Sequence, residues 1–152
     1  MTESTDRNYS TSEIQDRFAI TDLYDRQLAA AEAHDWTLYD TTFAPQATID
    51  LSDFGEPLRR YPDYRRWLAE VSQDMPKALR ISGGLRLDLQ GDRGTTRVPV
   101  LCLVKMRRPS GFEWTWTALC YNDALERSDR GWRIARRYEE LVYPDEAGPG
   151  RT

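Results

Sequence analysis

The chain has 152 residues, 39% of them hydrophobic and 30% charged, with a formal net charge of −4. That suits one domain with a core of its own and argues against nucleic acid as a partner. No apolar run approaches the roughly 20 residues needed to cross a bilayer, and no signal-peptide pattern opens the chain, so no membrane partner is expected. Cys102 and Cys120 sit in apolar, strand-like runs without metal-type spacing. They read as reduced core residues of a cytoplasmic protein, although sequence alone leaves a disulfide open.

Residues 1–9 are polar and predict a frayed tail. Ser10 with Glu13 three residues on is a capping-box signature, and a helix then runs to about Ala33. Ile20, Leu23, Tyr24, Leu28 and Ala31 give it one apolar face. Asp35 is placed to cap a second short helix toward Phe43, with Pro45 marking its end. Ala47–Leu51 reads as a short strand and Asp53-Phe54-Gly55 as a turn. Pro62 opens a third helix whose face is Tyr64, Trp67, Leu68 and Val71.

After Pro76 the hydrophobic period becomes that of a strand. Leu79–Leu89, Thr95–Met106, Glu113–Arg127 and Trp132–Tyr143 are separated by turn signals at Gly91–Gly94, Pro109–Gly111 and Ser128–Gly131. Helices followed by long strands predict an α+β fold with an antiparallel sheet. Residues 144–152 read as a flexible tail, leaving 10–143 as a single domain. Val98–Val104 and Trp114–Tyr121 are apolar or bulky on both faces, unlike a sheet with one wet face. One face is therefore expected against the helices around a pocket and the other against a second subunit, as a homodimer or homotrimer. Pro99 lacks an N–H and is expected at a bulge or an edge.

Three stretches, in order, resemble the SnoaL-like domain of the nuclear-transport-factor-2-like superfamily. They are ITDLYDRQLAAAEAHDWTLYDTTFAPQATIDLS, GDRGTTRVPVLCLV and YNDALERSDRGWRIARRYEEL, and the resemblance spans roughly residues 12–143. It implies a cone-shaped curved antiparallel sheet with three N-terminal helices enclosing a pocket. Members include dehydratases, a dehydrochlorinase, polyketide cyclases and proteins without catalytic activity. Dehydratase-like members pair an aspartate at the end of the first helix with a histidine opening the first long strand. By position these fall on Glu32 and Arg80, so the chain departs from the pair at both places. Arginine holds its proton at any working pH, so Arg80 can anchor an enolate, carboxylate or phenolate but cannot shuttle a proton. If it met Glu32, the ion pair would make that carboxylate a weaker base.

Further candidates for ligand contact are Tyr24, two turns before Glu32 on the same helix face, and Trp67, Tyr121, Asn122 and Asp50. Asn122 stands out as a polar residue on a mid-sheet face that needs a partner. Arg136 and Arg137 fall on opposite faces of the last strand, so one alone points inward. Asp53 reads as a solvated or capping residue, and His34, the one histidine, as a turn residue. The aromatic content suits a small, flat, ring-bearing hydrophobic ligand. No metal-ligand constellation, phosphate loop or dinucleotide fingerprint is present, so no cofactor is expected.

Three functions fit these residues. The leading one is a cofactor-independent dehydratase, cyclase or isomerase of polycyclic or polyketide-like molecules, a role in secondary metabolism, with Glu32 moving the proton and Arg80 holding the oxyanion. The second is epoxide hydrolysis, which needs a further carboxylate in the cavity, Asp50 or Asp123. The third is a non-catalytic binding or assembly module.

Overall fold

The capping box forms as the sequence predicts. In the computed structural model, which describes residues 7–143, Ser10 N–H donates to Glu13 Oε2 (2.8 Å) and Glu13 N–H to Ser10 Oγ (3.2 Å). The helix they open, α1 (Thr11–Ala33), buries Ile20, Leu23, Tyr24, Gln27, Leu28, Ala30 and Ala31 along one stripe. It ends at His34, whose left-handed backbone (φ 55°) lets its N–H reach back to the last carbonyls. Asp35 then caps α2 (Trp36–Asp40) through the N–H of Leu38 (3.0 Å).

The chain continues through β1 (Phe43–Asp50), a short 3-10 turn Ser52–Phe54, β2 (Arg59–Arg60) and α3 (Tyr61–Val71). It finishes with β3 (Lys77–Ser82), β4 (Arg86–Gln90), β5 (Arg93–Arg108), β6 (Gly111–Ser128) and β7 (Gly131–Tyr143). The sheet order is β2-β1-β7-β6-β5-β3, with β4 also paired to β5. The helices lie on one face of this curved, unclosed sheet, α1 against β3 and β7 and α3 against β1. That is an α+β cone.

Three local expectations need correction. The sheet is mixed, because β1 pairs with β7 in parallel. No hairpin joins these two strands, so no turn dictates an antiparallel pairing. Pro45 does not end α2 but lies within β1. The helix stops earlier because the Thr41 and Thr42 hydroxyls take the carbonyls of Leu38 and Tyr39, both at 2.7 Å. Pro45 is tolerated there because the β1–β7 register shifts between Phe43 and Thr48. The stretch Leu79–Leu89 is two strands broken at Gly83–Leu85.

That break accounts for Pro99. It sits inside β5, where β3 has ended its pairing at Val100 and β4 begins at Arg97. Its missing N–H thus points at a gap in the neighbouring strand, while its carbonyl accepts from Gly83 N–H at 2.7 Å. A Cβ on Gly83 would lie 2.7 Å from the Pro99 ring, so glycine is required there.

Cys102 and Cys120 are both buried and unpaired, on opposite faces of the sheet. The face turned away from the helices exposes Leu79, Ile81, Trp114, Trp116, Val142 and Tyr143. Of the expected N-terminal tail, Arg7–Tyr9 are described, and the Tyr9 ring lies under the Arg17 guanidinium. The expected tail at 144–152 lies outside the described residues. No helix among the described residues is long and apolar enough to cross a membrane.

Candidate active site

Between the helices and the concave face of the sheet lies a cavity of about 280 Å³. Its wall is aromatic: Trp36 and Tyr39 from α2, Phe54 from the 3-10 turn, Tyr64 and Trp67 from α3, Tyr121 from β6. Phe43 and Tyr61 stack behind this wall with ring centres 4.7 Å apart, and Phe43 also abuts Tyr39 and Tyr64. Burial pushes the hydroxyls of Tyr39, Tyr64 and Tyr121 above the ordinary tyrosine range. They act as neutral walls at working pH.

The polar groups come from the sheet, from α1, from Ser72 after α3 and from Glu56 after the 3-10 turn, the last ion-paired with Arg59 at 2.7 Å. Arg80 on β3, Cys102 on β5, Glu139 on β7 and Gln27 on α1 all line the cavity. Arg80 and Cys102 are register partners, and so are Tyr121 and Glu139. Glu139 is 8% exposed. Burial raises its carboxyl above the ordinary value of 4.5, opposed by the positive charges of Arg137 and Arg80 and reinforced by Asp123. Burial likewise pushes the Cys102 thiol up, so it is not a ready nucleophile.

Beneath the cavity lies a fully buried ionic network. Arg137 Nε and Nη2 donate to the Asp123 carboxylate at 2.9 and 2.7 Å, and Nη2 also donates to Gln27 Oε1 at 3.0 Å. Tyr24 O–H donates to Asp123 Oδ2 at 2.7 Å and meets the Thr96 hydroxyl. The Arg137 guanidinium lies 3.6 Å from the centre of the Tyr121 ring. Asp123 is therefore bound bidentately.

The structure brings together some of the residues singled out by sequence and separates others. Arg80, Trp67 and Tyr121 line the cavity, and Arg137 is the inward member of its pair. Glu32 is half-buried behind β3, where it accepts the main-chain N–H of Arg80. It thus steadies the strand and does not pair with the guanidinium. Tyr24 is held in the network below the cavity. Asn122 lies on the outer face, because it alternates with Tyr121 and Asp123; there it joins Arg97 and Glu140. Asp50 sits at the rim of the sheet and takes the N–H of Ser52 at 2.9 Å. Asp53 accepts from Tyr138 O–H at 2.9 Å and Leu141 N–H at 3.0 Å, which fixes the turn carrying Phe54.

Glu139 escaped the sequence reading. The available signal was register: in Arg136-Arg137-Tyr138-Glu139-Glu140, an inward Arg137 makes Glu139 inward too. Among the described residues no group of three or more His, Cys, Asp or Glu side chains is placed to hold a metal ion.

This architecture, a mixed sheet curled over a deep cavity and closed by three helices, is that of the nuclear-transport-factor-2-like proteins. The chain belongs to the SnoaL-like domain family, whose model matches residues 12–138. An uncharacterised protein of Mycobacterium tuberculosis is 30% identical over 135 residues, 88% of this chain and 90% of that one. Among solved structures of the same fold, the Kfla4162 protein of Kribbella flavida superposes with a TM-score of 0.79 at 20% identity, covering 86% of this chain and 93% of the other. Hexachlorocyclohexane dehydrochlorinase LinA-type3 of Novosphingobium barchaimii gives 0.74 at 22% identity, with coverages of 86% and 88%.

Proposed function

We propose that the chain is a cofactor-independent enzyme that enolises a small ring-bearing carbonyl compound, as the shared first step of a dehydratase, isomerase or cyclase. The observation that carries this is Glu139, a buried carboxyl inside an aromatic cavity that also holds an arginine. A carboxylate raised toward neutral pH is a better base than an ordinary one. Glu139 takes the proton from the carbon beside the carbonyl, the C–H electron pair becomes the new C=C bond, and the C=O π pair moves onto the carbonyl oxygen. Arg80 donates hydrogen bonds to the oxyanion that develops. The protonated Glu139 then returns its proton to a β-hydroxyl that leaves as water, or to a second carbon. Glu32 is a positioning residue that holds the Arg80 main chain.

The dehydrochlorinase among the structural neighbours supports small-molecule elimination in this fold, although fold alone does not fix the reaction. Epoxide hydrolysis is the second reading, favoured by the same carboxyl: Glu139 and the Arg59-paired Glu56, and neither Asp50 nor Asp123, line the cavity with the carboxylate it requires. The unpaired buried cysteines fit a cytoplasmic protein, and the exposed aromatic outer face fits a homodimer or homotrimer.

The test is deuterium exchange from D₂O into 2-tetralone, a bicyclic ketone, followed by NMR. The protein accelerates exchange, and Glu139→Gln and Arg80→Met each lower the rate by about 100-fold or more. Exchange no faster than in buffer overturns the proposal.

A further inference from the structure

Two hydrogen-bond donors at the cavity have no acceptor among the described residues: Arg80 Nη1 and Gln27 Nε2. Gln27 is 1% exposed, and its amide orientation is fixed because Oε1 must face the Arg137 guanidinium, which can only donate. Its Nε2 is thereby left over, on a residue that lines the cavity. Leaving a buried donor unmet is costly, and these two belong to residues of α1 and β3 that line the same cavity. We propose that they form a binding site for an aromatic carboxylate or phenolate, and that such a ligand enters together with a proton, which Glu139 takes up. The proposal rests on the reading of the cavity as the ligand site and adds the ligand's charge.

The charges facing Glu139 decide the coupling. Arg137 stands on its own strand; Asp123 and Tyr121 face it from β6, Cys102 from β5, Arg80 from β3, Tyr39 from α2, Tyr64 from α3 and Gln27 from α1. Arg137 and Asp123 neutralise one another, and the lining carboxylate Glu56 is paired with Arg59. Arg80 then balances a single negative charge, either that of Glu139 or that of the ligand. Two carboxylates against one guanidinium between aromatic walls leave one charge uncompensated, and protonating Glu139 removes it. The aromatic wall and the volume of about 280 Å³ favour a one- or two-ring acid over inorganic phosphate.

Calorimetric titration with 2-naphthoate and its neutral amide, 2-naphthamide, in two buffers of different ionisation enthalpy, tests this. The wild type binds naphthoate about tenfold or more tightly than the amide, takes up close to one proton per ligand above the titration range of Glu139, and weakens as pH rises. Glu139→Gln binds naphthoate without proton uptake and with no dependence on pH. Arg80→Met loses the preference for the anion, and Arg80→Lys recovers part of it. Amide bound as tightly as naphthoate, binding of neither, no proton uptake by the wild type, or uptake persisting in Glu139→Gln overturns the anion site. The enolisation reading is judged separately, on a neutral ketone. Exchange retained with anion preference lost sinks the anion site alone, and the reverse pattern sinks the enolisation.

Discussion

Arg137 and Asp123 are direct cross-strand partners on β7 and β6, and their side chains, both 0% exposed, close a salt bridge at 2.7 Å. Such a pair gains little over apolar side chains of the same shape, but removing one partner strands a charge in the core. Its consequence here is placement. Fixing Arg137 fixes the strand that presents Glu139 two residues on, and fixes Gln27 on the opposite helix through the same guanidinium. The buried ion pair is the base on which the cavity's polar groups are mounted.

Asp123→Ala is therefore expected to cost about 3–5 kcal/mol of stability, since it leaves Arg137 buried without a counter-charge. Urea unfolding followed by tryptophan fluorescence checks this. Tyr24→Phe, which removes one hydrogen bond to the same carboxylate, costs about 1.5–3 kcal/mol.

Glu139 makes stability depend on pH. The folded chain holds its proton at higher pH than the unfolded chain does, so the folded state binds more protons and stability falls as pH rises from the ordinary 4.5 through the folded value. Glu139→Gln is expected to be more stable than wild type at pH 8, where an ionised Glu139 opposes folding, with the difference vanishing at pH 4. Thermal melts of both proteins across this range check it.

Much of this molecule was legible in its sequence because each element carried a local reason. The α1 capping box, the Asp35 cap and the hairpin turns are short-range and read correctly. Arg80 was found only because a family pattern pointed at its position. What escaped were relationships that no local pattern encodes. The parallel pairing of β1 with β7 joins strands far apart in sequence. The outward turn of Asn122 and the inward turn of Glu139 both follow from a register that sequence alternation leaves free to slip by one. The sequence left open whether Glu32 meets Arg80; it does, but its partner is the main chain, which residue types cannot reveal.

Asp53 ties the turn bearing Phe54 to β7 through Tyr138 and Leu141. Loosening it opens one wall of the cavity without touching Glu139 or Arg80. Asp53→Ala is expected to raise the half-saturating concentration of 2-tetralone about tenfold while leaving the saturated exchange rate within about twofold.

Trp114 and Trp116 are 58% and 51% exposed on the same outer face as Leu79, Ile81 and Tyr143, and contiguous exposed apolar side chains of this kind mark an interaction surface. Light scattering is expected to report a dimer or trimer that dissociates when both tryptophans are replaced by glutamate. A monomeric wild type would contradict this.

The assignment of the proton-moving carboxyl is tested most directly by comparing two single variants in the 2-tetralone exchange assay. Glu139→Gln removes the buried carboxylate that lines the cavity, whereas Glu32→Gln alters the one that holds the Arg80 main chain. Exchange is expected to fall about 100-fold or more in Glu139→Gln and by no more than about tenfold in Glu32→Gln. Full activity in Glu139→Gln together with loss in Glu32→Gln would contradict it.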